Sequence, residues 1–380
     1  MWDLVLTDRH GIEEGVKQDD GMDLYRTTAY FVEPYTLQVN EERIKAPRIV
    51  IACGVRSQIP KIPGLEETGY LLSETVFDIA SLPKSLIILG GGYKACEFGH
   101  FFSAFGTSVT IIGHNPRLLP REEPEISKMM FDKVSEYNVV HVNKEVTEVR
   151  HGPAGKTVAF RDRATGGLRE ATADEILVST GVVSNGDTLN AAAAGLTLDK
   201  SNYLVVNQFL ETSQPGIFAM GDIIGRTMFR HTANYHVDVV WRNMFSKNKM
   251  PVDEHAVPHA VFAHPEVASV GMTQEEAEAK GIKIFVGMAA YIDTAKGYAM
   301  NEEDGFVKVV VDANDLKILG ASIIGPNAAI MLQALVYLMN SGDQSLTPIA
   351  RSQTIHPALS EVVVNAFGNL EDPQHEHHHD

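Results

Sequence analysis

The chain has 380 residues, 44% hydrophobic and 21% charged, which is the make-up of an ordinary globular protein long enough for two or three domains. Its 49 acidic against 32 basic residues leave a formal net charge of −17 with no basic patch to offset it, which excludes nucleic acid and anionic membrane surfaces as partners. The two cysteines, Cys53 and Cys96, are far apart and each lies in an apolar stretch, which excludes a disulfide framework and a CxxC motif; both read as small buried hydrophobes.

Residues 1 to about 48 read as short strands and loops, with alternation in Ala29–Val32 and Thr36–Val39 suggesting a two-stranded piece. The largely apolar run Arg48–Gly54 has the character of a buried parallel strand whose carboxyl end meets a ligand, and Pro60-Lys61-Ile62-Pro63-Gly64 breaks the chain after it. Next, Ser85-Leu86-Ile87-Ile88-Leu89 runs into Gly90-Gly91-Gly92-Tyr93-Lys94-Ala95 and a helix-like stretch, and Ser108–Ile112 supplies a second strand. In such a βαβ unit the first glycine permits a tight reversal, the third lets backbone approach a pyrophosphate, and the alanine allows close helix–strand packing. A helix near Glu125–Tyr137, a β-rich part around Val146–Arg161 and a buried strand ending at Gly181 complete this unit. Gly216–Asp222 is a third strand-like run, its acid suited to holding a sugar hydroxyl. From about residue 251 the pattern changes to strands such as Phe306–Val311 and Ile318–Gly325 followed by the apolar helix 328–338, an α+β module. The His-rich end, 371–380, reads as a disordered tail, and no metal site is expected. The start lacks the pattern of a secretory leader and no long uncharged apolar segment occurs, so a cytoplasmic protein is expected.

Five segments stand in the order found in the class I pyridine nucleotide-disulfide oxidoreductases, the family of glutathione reductase, dihydrolipoamide dehydrogenase and mycothione reductase. They are Val50–Gly54 with Ile62-Pro63-Gly64; Gly90–Glu97; Ile217–Asp222; Ala260–Gly271; and His356-Pro357-Ala358-Leu359-Ser360-Glu361. The chain resembles this family over nearly its whole length. The resemblance implies an α/β fold in which a Rossmann-like NAD(P)-binding domain, 79–183, is inserted in a FAD-binding domain, 1–78 and 184–250, and followed by a dimerisation domain, 251–370. It implies FAD and NAD(P)H as cofactors, a homodimer, and a small disulfide or dithiol substrate. By the same resemblance Gly90, Gly92 and Ala95 cradle the nicotinamide dinucleotide and Tyr93 covers the flavin. Glu97, Gly54, Gly181, Gly221 and Asp222 complete the cofactor site, with Asp222 on the ribityl chain. His356 is the acid/base, oriented by Glu361, and serves the other subunit; a carboxylate that fixes an imidazole tautomer gives this pairing an independent physical sense.

The sequence also departs from the family pattern. The family's first glycine-rich turn and CxxxxC pair belong to a segment of about a hundred residues that precedes the point matching Met1, so the FAD-binding domain is expected to be a truncated remnant without the redox cysteines. Two alternatives follow: a non-catalytic dimeric nucleotide-binding fragment, or a thiol-independent NAD(P)H oxidase or diaphorase. Lys94 stands where an aliphatic residue is usual; it either pairs with Glu97 on the same helix face or points to solvent. Gly113 stands where an acid for NAD or an arginine for NADP is usual, with His114, Arg117 and Arg121 nearby, so the choice of dinucleotide stays open.

Overall fold

The computed structural model describes residues 2–373. The chain forms two compact units: one holds the chain up to Arg56 together with Val183–Val252, the other Ser57–Val182 and the chain from Asp253 onward.

The first unit opens with a helix, Trp2–Gln18, where short strands and loops were expected. Its glycines, Gly11 and Gly15, and its mixed polar and apolar order hide it from a pattern search. It is held by local bonds instead, Thr7 Oγ1 donating to the Asp3 carbonyl at 2.6 Å and Arg9 pairing with Glu13 at 3.3 Å. Strands Ala29–Glu33, Thr36–Val39 and Glu42–Lys45 form an antiparallel meander, one strand more than the alternation revealed. Ile49–Ile51 pairs in parallel with Ile217–Ala219, which is wholly buried. Val50 is exposed, however, so the first of these strands is covered on one face only. Phe31, Ile51, Leu210, Phe218, Ile223 and Val239 form the core, the last of them from the helix Arg230–Phe245. Cys53 is not the buried hydrophobe expected: the ladder stops at Ile51, and the residue two places on is exposed.

In the second unit a four-stranded parallel sheet runs in the order Glu175–Val178, Ser85–Leu89, Ser108–Ile112, Val139–His141. Leu86 to Leu89 are all buried because both faces are covered. Leu86 and Ile88 face Ala95, Cys96 and Phe102 of the helix Tyr93–Ala104 and Ile126, Met130 and Val134 of Pro124–Ser135. Ile87 and Leu89 share a core with Val149, Val158 and Phe160 of the antiparallel strands Lys144–Gly152, Gly155–Asp162 and Leu168–Ala173. Residues 57–78, expected with the FAD-binding part, pack here: Leu65 enters that core, and the Leu71 N–H donates to the Ile176 carbonyl at 2.7 Å.

The C-terminal part is a five-stranded antiparallel sheet in the order Pro258–Val261, Val267–Gly271, Ile318–Ile324, Phe306–Asp312, Ile284–Ala290. Helices Ala328–Met339 and Ser360–Gly368 bury Leu332, Leu335, Val362 and Ala366 against it. Glu371, placed in the tail by sequence, exchanges backbone hydrogen bonds with Val286; residues 374–380 of that tail lie outside the described residues.

A buried polar seam joins this sheet to the segment after Ser108–Ile112. Lys308 and Glu123, 2% and 1% exposed, pair at 2.9 Å, and Lys308 also reaches both oxygens of Glu125 at 3.0 Å. Glu123 accepts the Gln274 N–H at 2.7 Å; Glu122 accepts from Ser269 Oγ and meets His259 Nε2, each at 2.6 Å. Burial pushes the Glu122 carboxyl up, yet His259 and Ser269 outweigh it and hold it below its ordinary value.

Candidate active site

The glycine turn divides its labour. Gly90 has φ 139°, and a Cβ there would sit 2.3 Å from the Ser179 carbonyl oxygen, so this glycine serves the meeting of two strand ends. Gly92 has an extended conformation at φ −90°, ψ −170°, and a Cβ there would meet nothing within 4 Å. It caps the helix Tyr93–Ala104 without a side-chain cap, leaving open space before a helix N-terminus, whose first-turn N–H groups and dipole favour an anion. That opening fits a pyrophosphate.

Ala95 and Cys96 are buried, as the close helix–sheet packing requires, and Tyr93 at the helix start is 44% exposed. Burial, with Glu97 adding to it, pushes the Cys96 thiol up to about 12, which keeps it protonated and inert.

Lys94 and Glu97 make no direct hydrogen bond to one another. Lys94 Nζ donates to Ser73 Oγ at 3.0 Å, and Glu97 Oε1 accepts the Phe262 N–H at 2.9 Å. Burial raises the Glu97 carboxyl, opposed by that N–H and by the field of Lys94. The sequence carries no signal for either partner, since both come from distant loops.

At the end of the second strand, Gly113 lies beside the glycine turn, an added Cβ standing 3.5 Å from the Gly91 Cα. Arg117 is engaged by Glu275 at 3.3 Å and Arg121 is exposed. A cation not anticipated from sequence, Arg163, donates from Nη1 to the His114 carbonyl at 3.3 Å.

The first unit has two strand ends of its own. Gly54, at φ 63°, has nothing within 4 Å of an added Cβ, and Asn185 Nδ2 donates to the preceding Cys53 carbonyl at 2.8 Å. Desolvation of its sulfur raises the Cys53 thiol, and the charge of Asp187 adds to this. After the buried strand Ile217–Ala219, Gly221 turns at φ 69° and its N–H donates to His236 Nδ1 at 3.1 Å; Asp222 follows in the short 3-10 helix Gly221–Ile224. Gly181 belongs to the other unit, at φ 116°, where its carbonyl accepts the Gln58 N–H at 2.9 Å. The open strand end at Gly54 is a cradle that suits the phosphate and sugar portions of FAD.

His356 and Glu361 meet as expected. Glu361 Oε1 holds His356 Nδ1 at 2.9 Å while its Oε2 accepts the Ala358 N–H at 3.0 Å. The Ala358 N–H and then the His356 ring hold the Glu361 carboxyl below its ordinary value, so it is ionised at neutral pH. The His356 side chain is 67% exposed, and Glu361 fixes its Nδ1 side. Among the described residues no group of three or more His, Cys, Asp or Glu side chains is placed to hold a metal, and no helix is long and apolar enough to cross a membrane.

Comparison with known proteins decides the family. Residues 8–236 match pyridine nucleotide-disulphide oxidoreductase and residues 257–367 match the dimerisation domain of the same proteins. The chain belongs to the pyridine nucleotide-disulphide oxidoreductase family. It is 34% identical over 362 residues to a mycothione reductase of Mycobacterium tuberculosis, covering 94% of this chain and 75% of that one. A dihydrolipoyl dehydrogenase of Geobacillus stearothermophilus is 30% identical over 359 residues, 93% of this chain and 75% of that one. Among solved structures, the HOCl-induced flavoprotein disulfide reductase RclA from Escherichia coli superimposes with a TM-score of 0.87 at 26% identity, covering 96% of this chain and 83% of its own. The expected α/β architecture with a following dimerisation domain is thereby established, and members of this family are flavin oxidoreductases that use FAD and NAD(P)H.

Proposed function

We propose that this chain passes hydride between NAD(P)H and a flavin in an NAD(P)H:disulfide oxidoreductase of the mycothione reductase or dihydrolipoamide dehydrogenase type, working as a homodimer on a small disulfide or dithiol. FAD, when bound, supplies the two-electron carrier chemistry. The chain's residues position and protonate. Gly92 and the helix N-terminus behind it hold the dinucleotide pyrophosphate, Tyr93 stands at the mouth of that site, and Gly54, Gly221 and Asp222 hold the flavin nucleotide.

The His356–Glu361 pair carries the reading. Glu361 fixes the Nδ1 side of the ring and stabilises the imidazolium, so His356 Nε2 gives a proton to a departing thiolate or takes one from an attacking thiol in the partner subunit. Neither cysteine of this sequence is poised as a redox pair, because both are free thiols and Cys96 is buried. The FAD-loaded chain should therefore be given NADPH with either a small disulfide such as mycothione disulfide or a quinone acceptor. Anaerobic reduction of the flavin by NADPH supports the reading of hydride transfer, with the disulfide itself left unreduced because this sequence holds no redox cysteine pair. Turnover with quinone assigns a diaphorase, and nucleotide binding without flavin reduction assigns a binding protein.

A further inference from the structure

The parallel pair Ile49–Ile51 and Ile217–Ala219 has an open edge. Ile49 and Ile51 bond towards the neighbouring strand, the Ile49 N–H donating to the Gly216 carbonyl at 3.1 Å and the Ile51 carbonyl accepting the Met220 N–H at 3.1 Å. The N–H and C=O of Val50 belong to the opposite edge, and among the described residues neither has a partner. A parallel sheet is ordinarily larger than two strands and covered on both faces, whereas Val50 is 41% exposed.

An apolar stripe adjoins this edge. Val237, Trp241 and Phe245 recur at every fourth residue of the helix Arg230–Phe245 and so share one face; they are 47%, 68% and 55% exposed. The Trp241 and Phe245 rings lie 4.7 Å apart, and the Arg48 guanidinium sits 5.1 Å from the Phe245 ring centre, which brings the start of the strand to the end of the helix. Large apolar side chains gathered on one exposed face mark a binding surface.

We propose that this edge and stripe take an extended, acidic segment of a partner protein, which adds as a strand along Val50 and lays alternate apolar side chains against Val237, Trp241 and Phe245. Main-chain bonds to the Val50 N–H and C=O supply affinity, and the helix face selects the side chains. Charge fixes the rest of the partner's chemistry. Arg48, Arg242 and Lys247 flank the stripe, and among the described residues none of them has a carboxylate partner; the one acid of that helix is Asp238. This local excess of cations stands in a chain of net charge −17, and carboxylates at the ends of the segment match it. A second copy of the same face does not, because a symmetric pairing brings the three cations together.

Panning a random peptide phage library on the immobilised chain reads that chemistry directly, with no nucleotide or flavin present. The expected peptides alternate Val, Ile, Phe or Tyr with polar residues and carry Asp or Glu at their ends. Fluorescence anisotropy of a labelled synthetic peptide of the enriched sequence then measures affinity. Trp241→Glu, and Arg48→Glu with Lys247→Glu, should each weaken it by about tenfold or more, the charge pair most at low salt. Val50→Pro, which removes the N–H, should weaken it as much, and Val50→Ala, which keeps the backbone, far less. Trp241, Arg48 and Lys247 are exposed, so their variants should melt as the unsubstituted chain does. Enriched peptides without the acidic, alternating pattern, or affinity that Trp241→Glu leaves unchanged, overturn the proposal. An oligomer in sedimentation velocity that Trp241→Glu abolishes assigns the face to a second copy and overturns it too.

Discussion

Gly90 and Gly92 stand two residues apart, and alanine at each should fail in opposite ways. At Gly90 a side chain is forced into φ 139° and its Cβ is driven to 2.3 Å from the Ser179 carbonyl oxygen. The conformational strain is about 1–3 kcal/mol, and moving a carbonyl that closes two buried strand ends adds about 1–3 kcal/mol of overpacking. Gly90→Ala should thus destabilise by about 2–6 kcal/mol, a fall in Tm on the order of 10 °C for a unit of this size. At Gly92 the backbone suits any residue and the Cβ meets nothing within 4 Å. Gly92→Ala should leave Tm unchanged or slightly raised, by about 0.4–1 kcal/mol through the unfolded chain. Its methyl group would nevertheless stand where the pyrophosphate approaches, and losing one charge-assisted hydrogen bond weakens NADPH by roughly tenfold or more. Thermal denaturation and NADPH titration on the two variants give four values. The reasoning is refuted if Gly92→Ala binds NADPH as the unsubstituted chain does, or if Gly90→Ala melts unchanged.

The seam around Lys308 yields two more predictions. Lys308→Met leaves the buried Glu123 with only the Gln274 N–H and should cost about 3–5 kcal/mol, while Lys308→Met with Glu123→Gln should recover most of this in thermal or urea unfolding. Glu122 has a folded pKa below its ordinary 4.5, so its contribution is complete above about that pH and is lost as pH falls through the lower folded value. Glu122→Gln should therefore lower stability at pH 7 and flatten the acid limb of a Tm-against-pH profile; an unchanged acid limb would show that the His259 contact does not govern it.

Much of the site was legible because its chemistry is local. Gly90–Gly92 follows an apolar strand directly, and His356 and Glu361 are five residues apart in a segment that resembles the family's, so each group comes together over a short stretch of chain. What stayed hidden depends on contacts between distant segments. Lys94 finds Ser73, Glu97 finds a backbone N–H at Phe262, Arg163 reaches a carbonyl at His114, and Lys308 interrupts an apolar strand to meet Glu123. The packing of residues 57–78 stayed hidden for the same reason: Leu65 and Leu71 declare their partners only when the parallel sheet exists. The helix Trp2–Gln18 escaped differently, having an exposed surface and no apolar stripe to give it a period.

The central claim, that this chain joins a pyridine nucleotide to a flavin, is tested most directly by anaerobic titration of the FAD-loaded chain with NADPH, following the absorbance of oxidised flavin. The account predicts stoichiometric bleaching, diminished by Gly92→Ala at limiting NADPH. Flavin that stays bound and oxidised while NADPH is present in excess contradicts it.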